Sequence, residues 1–171
     1  MGFTAENPLW EGSAKGRLYY RSREHQQAQF EAVAKFLPRG GRRRLLDYGC
    51  GYGDFISWLP SGYIYEGIDS DPTVIESAQR LYPGYHFRCS SKVVNANVIV
   101  CIAALQHERE NPKRVVDELL DHCKLLLLTT VNDAHRPKEW LDFKIADLFP
   151  ATAEMVSPED DFVLLVTEGN L

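Results

Sequence analysis

The run Leu45-Leu46-Asp47-Tyr48-Gly49-Cys50-Gly51-Tyr52-Gly53-Asp54-Phe55 sets three alternating glycines directly behind a short apolar segment. That spacing suits a backbone that turns sharply and approaches a ligand with no side chain in the way. A second apolar run, Tyr63 to Ile68, ends in Asp69-Ser70-Asp71. Asp69 follows Gly49 by 20 positions, the interval at which dinucleotide-type folds offer a carboxylate to a ribose. The chemistry indicated is recognition of a nucleoside. Taken singly, the glycines also suit a plain tight turn, and Asp69 a helix-capping carboxylate. A nicotinamide fingerprint would need its third glycine at position 54, which is Asp54, and no P-loop lysine or Ser/Thr follows. A pyrophosphate is therefore not the expected ligand.

Positioning these residues requires alternating strands and helices. Phe30, Val33, Ala34 and Leu37 fall at i, i+3, i+4 and i+7, which predicts a helix over 24–37, stopped by Pro38. Arg39-Gly40-Gly41-Arg42-Arg43-Arg44 is a basic connector, read as a solvated loop with nucleic-acid contact as the alternative. Strands are expected over 44–48, 63–69 and 85–89. A short helix capped by Asp54 follows the first, and a helix begun by Asp71-Pro72 follows the second. Residues 90–97 are too few and too polar for a confident crossover helix. Val98 to Ile102 and Leu125 to Val131 read as strands buried on both faces, joined by a helix starting at Asn111-Pro112. A helix around 138–148 and two strands, 151–156 and 162–167, complete the chain. Such alternation predicts a parallel sheet, and the short final connection allows only an antiparallel neighbour. The ligand belongs at the carboxyl ends of the strands, at the switch point beside strand one.

The 171 residues suit one domain, with 1–23 as a possible lid or cap and 24–168 as the core. A net charge of −5 argues against broad phosphate-backbone binding. Cys50, Cys89, Cys101 and Cys123 form no CxxC pair; three of the four lie in apolar runs, which reads as buried reduced thiols. No segment has the length of a membrane span and the N-terminus lacks a signal-like apolar region, so a cytoplasmic location is expected.

At this point the sequence resembles the class I S-adenosylmethionine-dependent methyltransferases. Asp47 to Gly53 is similar to their first motif, and Gly67-Ile68-Asp69-Ser70-Asp71 to the acidic end of their second strand. Cys101-Ile102-Ala103-Ala104-Leu105-Gln106-His107 resembles the fourth-strand segment of the ubiquinone-pathway-like branch. The resemblance implies a three-layer α/β/α Rossmann-like fold with a mostly parallel seven-stranded sheet and a C-terminal antiparallel hairpin. It implies S-adenosylmethionine as cofactor, held by Asp47, Gly49, Cys50, Gly51, Asp69, Ser70, Ser90 and Ala103. Within that set, backbone at Gly49 and Gly51 passes under the methionine part, Asp47 pairs with its ammonium, and Asp69 accepts both ribose hydroxyls. Ser70 borders the adenine, and Ser90 stands where the family often has an Asp for the adenine amine. Ala103 and Ala104 leave room for the methyl to face its acceptor.

Methyl transfer from a sulfonium is an in-line displacement, so the protein mainly aligns the partners and removes a proton where the acceptor has one. His107 is the candidate base, the alternative being a surface or helix-capping histidine. Gln106, His135, Tyr19 and Tyr20 are candidates for substrate binding, with surface packing as their plain alternative. Trp10 and Arg23 are undecided between the same roles. His107-Glu108-Arg109-Glu110 offers one imidazole beside acids, and no metal site is expected there. The expected acceptor is an oxygen or nitrogen of a small molecule. The alternatives are a macromolecular acceptor (peptide, protein or RNA), motivated by the arginine cluster, and a non-catalytic partner protein of the same fold.

Overall fold

The structure, a computed structural model, describes residues 23–105, 111–131, 145–148, 154–159 and 162–171. Helix α1 (Arg23–Phe36) leads into β1 (Arg43–Tyr48), a 3-10 helix (Asp54–Trp58) and β2 (Tyr63–Asp69). Helix α2 (Pro72–Leu81), β3 (His86–Cys89), β4 (Ala96–Ile102), α3 (Pro112–Asp121) and β5 (Cys123–Val131) follow. A 3-10 turn (Ile145–Leu148), β6 (Glu154–Glu159) and β7 (Phe162–Glu168) complete the order. Among the described residues seven strands form one sheet in the order β3-β2-β1-β4-β5-β7-β6. Pairs β2–β3, β1–β2, β1–β4 and β4–β5 are parallel, and β7 is antiparallel to both β5 and β6. The expected mostly parallel sheet with a reversed terminal hairpin is what forms, and the switch point lies between β1 and β4.

Alternation along the strands feeds two cores. Leu45, Tyr65, Phe87, Val98, Val100, Leu127 and Leu164 pack with Phe30, Val33, Phe55, Ile75 and Ala78 beneath α1, the 3-10 helix and α2. Leu46, Ile68, Ile99, Cys101, Leu126, Leu128 and Leu165 pack with Val115, Val116, Leu119 and Leu148 on the other face. Three layers result, as apolar strands covered on both sides require. Two helix starts follow their sequence signals. Asp71 Oδ1 accepts from the Thr73 N–H at 2.8 Å, Asn111 Oδ1 accepts from the Arg114 N–H at 3.0 Å, and each is followed by proline.

Several expectations are corrected. Gly53, not Asp54, occupies the cap of the 3-10 helix, at φ +79°, a left-handed conformation that glycine takes without strain. The Asp54 carboxylate instead accepts from Gln26 Nε2 and Tyr82 Oη, each at 3.5 Å. Ser157, Pro158 and Glu159, expected in the short connection after the strand over 151–156, lie within β6, and the β6–β7 register shifts between Val156 and Glu159. Of the cysteines, Cys101 and Cys123 are buried, Cys50 is partly buried and Cys89 is exposed; all four are free. Of the helix expected over 138–148, only the turn Ile145–Leu148 falls among the described residues.

As the sequence suggests, the β3–β4 link carries no helix. Beside it a groove of about 260 Å³ opens over the amino-terminal halves of β1 and β2, lined by Leu46, Ile64, Glu66, His86 and Val94. It lies at the opposite end of the strands from the glycine loop. Among the described residues no helix is long and apolar enough to cross a membrane, and no cluster of His, Cys, Asp and Glu could hold a metal ion.

Candidate functional site

The carboxyl end of β1 runs directly into the glycine loop. Gly49 and Cys50 donate their N–H groups to the Ile68 carbonyl at 2.8 and 3.0 Å, which folds the loop back over the end of β2. Gly49 has φ +70°, and a Cβ there would stand 2.3 Å from Ala104 Cβ. Only glycine lets the loop lie this close to the end of β4.

Asp69 terminates β2 with both carboxylate oxygens engaged by backbone. Oδ2 accepts from the Gly51 N–H at 3.1 Å and Oδ1 from the Asp71 N–H at 3.0 Å. A carboxylate offers about four lone-pair sites, so two remain for a pair of vicinal hydroxyls. The loop and the acid are thus locked to each other before any ligand arrives. Asp69 here is oriented rather than a helix cap, because that role falls to Asp71.

Asp47 occupies a different environment. It is 3% exposed, and its Oδ2 accepts from Tyr65 Oη at 2.7 Å. Burial pushes its carboxyl up to about 7; the Tyr65 hydrogen bond opposes the rise, and the Asp69 and Asp54 charges add to it. Tyr65 is itself pushed well above the usual phenol range, chiefly by burial, so it stays a neutral donor. Cys50 is held as a thiol by burial and by the negative charge of Asp47 and Asp69, which removes it as a nucleophile. The field around the loop is anionic. It favours a cationic ligand and opposes a pyrophosphate.

The remaining predicted cofactor residues gather at the same edge. Ser90 donates its N–H to the Asp69 carbonyl at 2.9 Å, while its hydroxyl oxygen accepts from the Lys92 N–H at 3.0 Å. One lone pair on that oxygen is therefore already engaged. Ser70 is exposed, and its carbonyl accepts a long contact from Cys89 Sγ at 3.6 Å. Ala103 is buried at the end of β4 with φ +52°. Asp47, Gly49, Cys50, Gly51, Asp69, Ser70, Ser90 and Ala103 are thus drawn together from four strand ends. Tyr19, Tyr20, Gln106, His107 and His135, with Trp10, lie outside the described residues. The arginine connector runs into β1, whose first two residues are Arg43 and Arg44, so it is not all loop, and it sits at the opposite end of the strands from the glycine loop.

Sequence reasoning missed Tyr65, Gln26, Gln29 and Thr129. Gln26 and Gln29 continue the buried face of α1 and are 7% and 2% exposed. Their signal was polar side chains at apolar-face positions, three residues apart and in phase with Phe30 and Val33. For Thr129 it was a hydroxyl at the end of four consecutive leucines.

Comparison with known proteins bears on family and fold. A family model described as a methyltransferase domain matches residues 20–159. No curated protein matches the chain. Among solved structures, the N-methyltransferase NodS from Bradyrhizobium japonicum WM9 is similar, with TM-score 0.68 and 14% identity over 88% of this chain and 99% of its own. Magnesium protoporphyrin IX methyltransferase from Synechocystis PCC 6803, solved with bound S-adenosylmethionine, gives TM-score 0.63 and 19% identity, covering 99% of this chain and 87% of its own. A TehB-like S-adenosylmethionine-dependent methyltransferase from Corynebacterium glutamicum gives TM-score 0.64 and 16% identity, covering 95% of each chain. At these identities the structural likeness is one of fold.

Proposed function

The chain belongs to the class I S-adenosylmethionine-dependent methyltransferase family, and on that premise we propose that it methylates an oxygen or nitrogen of a small molecule. The observation that carries the donor half is the oriented Asp69 carboxylate beside a glycine loop flanked by the buried Asp47. This donor set fits the cofactor: a carboxylate with two sites left for a ribose, a buried acid suited to an ammonium, and a backbone cradle that a side chain at Gly49 would fill.

When bound, S-adenosylmethionine supplies a methyl group already activated on a sulfonium. Asp69 holds the ribose hydroxyls while Gly51 N and Asp71 N keep its carboxylate in place. Asp47 pairs with the ammonium, and Tyr65 orients Asp47 by donating to its other face. Gly49 and Gly51 present bare backbone beneath the methionine part. Ser70 would border the adenine, and Ser90 would offer its remaining lone pair to the adenine amine. Ala103 keeps the acceptor side clear by being small. His107 follows the fully buried Leu105 by two positions and removes the acceptor's proton at its imidazole. Gln106, His135, Tyr19 and Tyr20 contact the acceptor.

The macromolecular alternative leans on Arg39 to Arg44, at the far end of the strands from the loop, and is not favoured. The test is a metabolite extract incubated with the protein and isotopically labelled methyl donor, read by mass spectrometry. Label is expected on a small molecule, with the rate falling about 100-fold or more in His107→Ala. Label confined to polymers would overturn the acceptor assignment, and full activity in His107→Ala would remove the base.

A further inference from the structure

Helix α1 reaches the carboxyl edge of the sheet through its buried glutamines. The Thr129 hydroxyl donates to Gln29 Oε1 at 2.5 Å, tying β5 to a residue 100 positions earlier. The same hydroxyl oxygen accepts the Ala103 N–H at 3.0 Å, closer than the 3.3 Å main-chain contact from that N–H to the Thr129 carbonyl. Among the described residues Ala103 is the one non-glycine residue at positive φ. An L-residue holds that conformation only where its surroundings over-determine it. Its consequence is the placement of the next residue. Ala104 is set so close to the loop that a Cβ on Gly49 would meet it at 2.3 Å.

The hydrogen bonds all run in one direction. A hydroxyl has a single proton, and Thr129 gives it to the Gln29 carbonyl. The Gln29 amide therefore faces the other way, with Nε2 at 3.4 Å from His25 Nε2, so the side chain cannot flip without leaving the Thr129 proton unmatched. Gln29 and Thr129 are 2% and 0% exposed, so water offers neither a substitute partner. Gln26, one turn earlier on the same face, reaches Asp54 on the far side of the loop.

We propose that Gln29 and Thr129 are positioning residues for methyl transfer: their hydrogen bond fixes the hydroxyl oxygen that holds Ala103, and so seats Ala104 against Gly49 of the donor loop. This rests on the donor-site reading above. The test is calorimetric titration with S-adenosylhomocysteine, well below each variant's melting midpoint as given by circular dichroism. Thr129→Val, which removes both hydrogen bonds of the hydroxyl, and Gln29→Met, which removes the one to Gln29 Oε1, are each expected to weaken binding by about ten-fold or more. Thr129→Ser, which keeps the oxygen, is expected to bind within about two-fold of wild type. Thr130→Val is expected to match wild type, because the buried Thr130 hydroxyl has no partner among the described residues. Wild-type affinity in Thr129→Val, or an equal loss in Thr129→Ser, would overturn the proposal while leaving the donor site standing. Failure of the wild type to bind would strike the donor-site reading itself, and the proposal with it.

Discussion

Asp47 and Asp69 are both carboxylates at strand ends, yet their surroundings make them different tools. Asp69 receives two backbone N–H groups, whereas Asp47 is enclosed and its carboxyl titrates at about 7. A group whose folded value lies above its unfolded one adds stability at low pH, and that stability is lost as pH rises through the folded value. For Asp47 the window runs from about 4 to about 7, and a shift of this size corresponds to something on the order of 4 kcal/mol. Asp47→Asn, which cannot ionise, is therefore expected to flatten the fall in melting temperature of the free protein between about pH 4 and pH 7. A melting series at stepped pH checks this. On the proposed pairing the ligand's ammonium requires the ionised acid, so affinity for S-adenosylhomocysteine should drop up to ten-fold per unit as pH falls below about 7. Titration calorimetry at stepped pH gives the slope, and a flat profile would separate Asp47 from the ammonium. The two acids were legible in the sequence because each ends an apolar run. The Tyr65 partner was not, since one tyrosine in a strand carries no sign of what lies across the sheet.

At the level of elements, the loop depends on glycine where it meets β4. Gly49→Ala adds a Cβ 2.3 Å from Ala104 Cβ at a positive φ, a backbone conformation costing about 1–2 kcal/mol for an L-residue before the clash is counted. The expected outcome is a melting temperature lower by several degrees together with loss of S-adenosylhomocysteine binding. Asn111→Ala tests the start of α3, where loss of the cap is expected to cost about 1 kcal/mol with little effect on ligand affinity. Chemical denaturation measures it. Caps of this kind were legible because Asp-Pro and Asn-Pro carry their own geometry. Asp54 misled for a local reason: Gly53 can take the left-handed cap, so the acid falls one place inside the helix. Gln26 and Gln29 passed unremarked because polar residues on a helix face usually meet water. Here Asp54 of the 3-10 helix partners Gln26, and Thr129 near the end of β5 partners Gln29.

Across the whole molecule, the order β3-β2-β1-β4-β5-β7-β6 brings four strand ends to one point, and that convergence gathers the proposed site residues, scattered from 47 to 103. Much of this topology was legible, because continuous apolar strands imply parallel pairing and a short last connection forces the reversal. The parallel neighbours of β1 were expected only in outline, since register is set by packing across the sheet rather than by any segment alone. A ligand that binds the folded state adds about 2.7 kcal/mol at a hundred-fold excess over Kd. For a domain of this size that predicts a rise in melting temperature of roughly 5–10 °C with saturating S-adenosylhomocysteine. The most direct test of the donor site is calorimetric titration of wild type and Asp69→Ala with S-adenosylhomocysteine under identical conditions. One site per chain is expected in the wild type, with binding lost in a variant that melts as a folded protein. No binding by the wild type, or equal affinity in Asp69→Ala, would contradict the assignment.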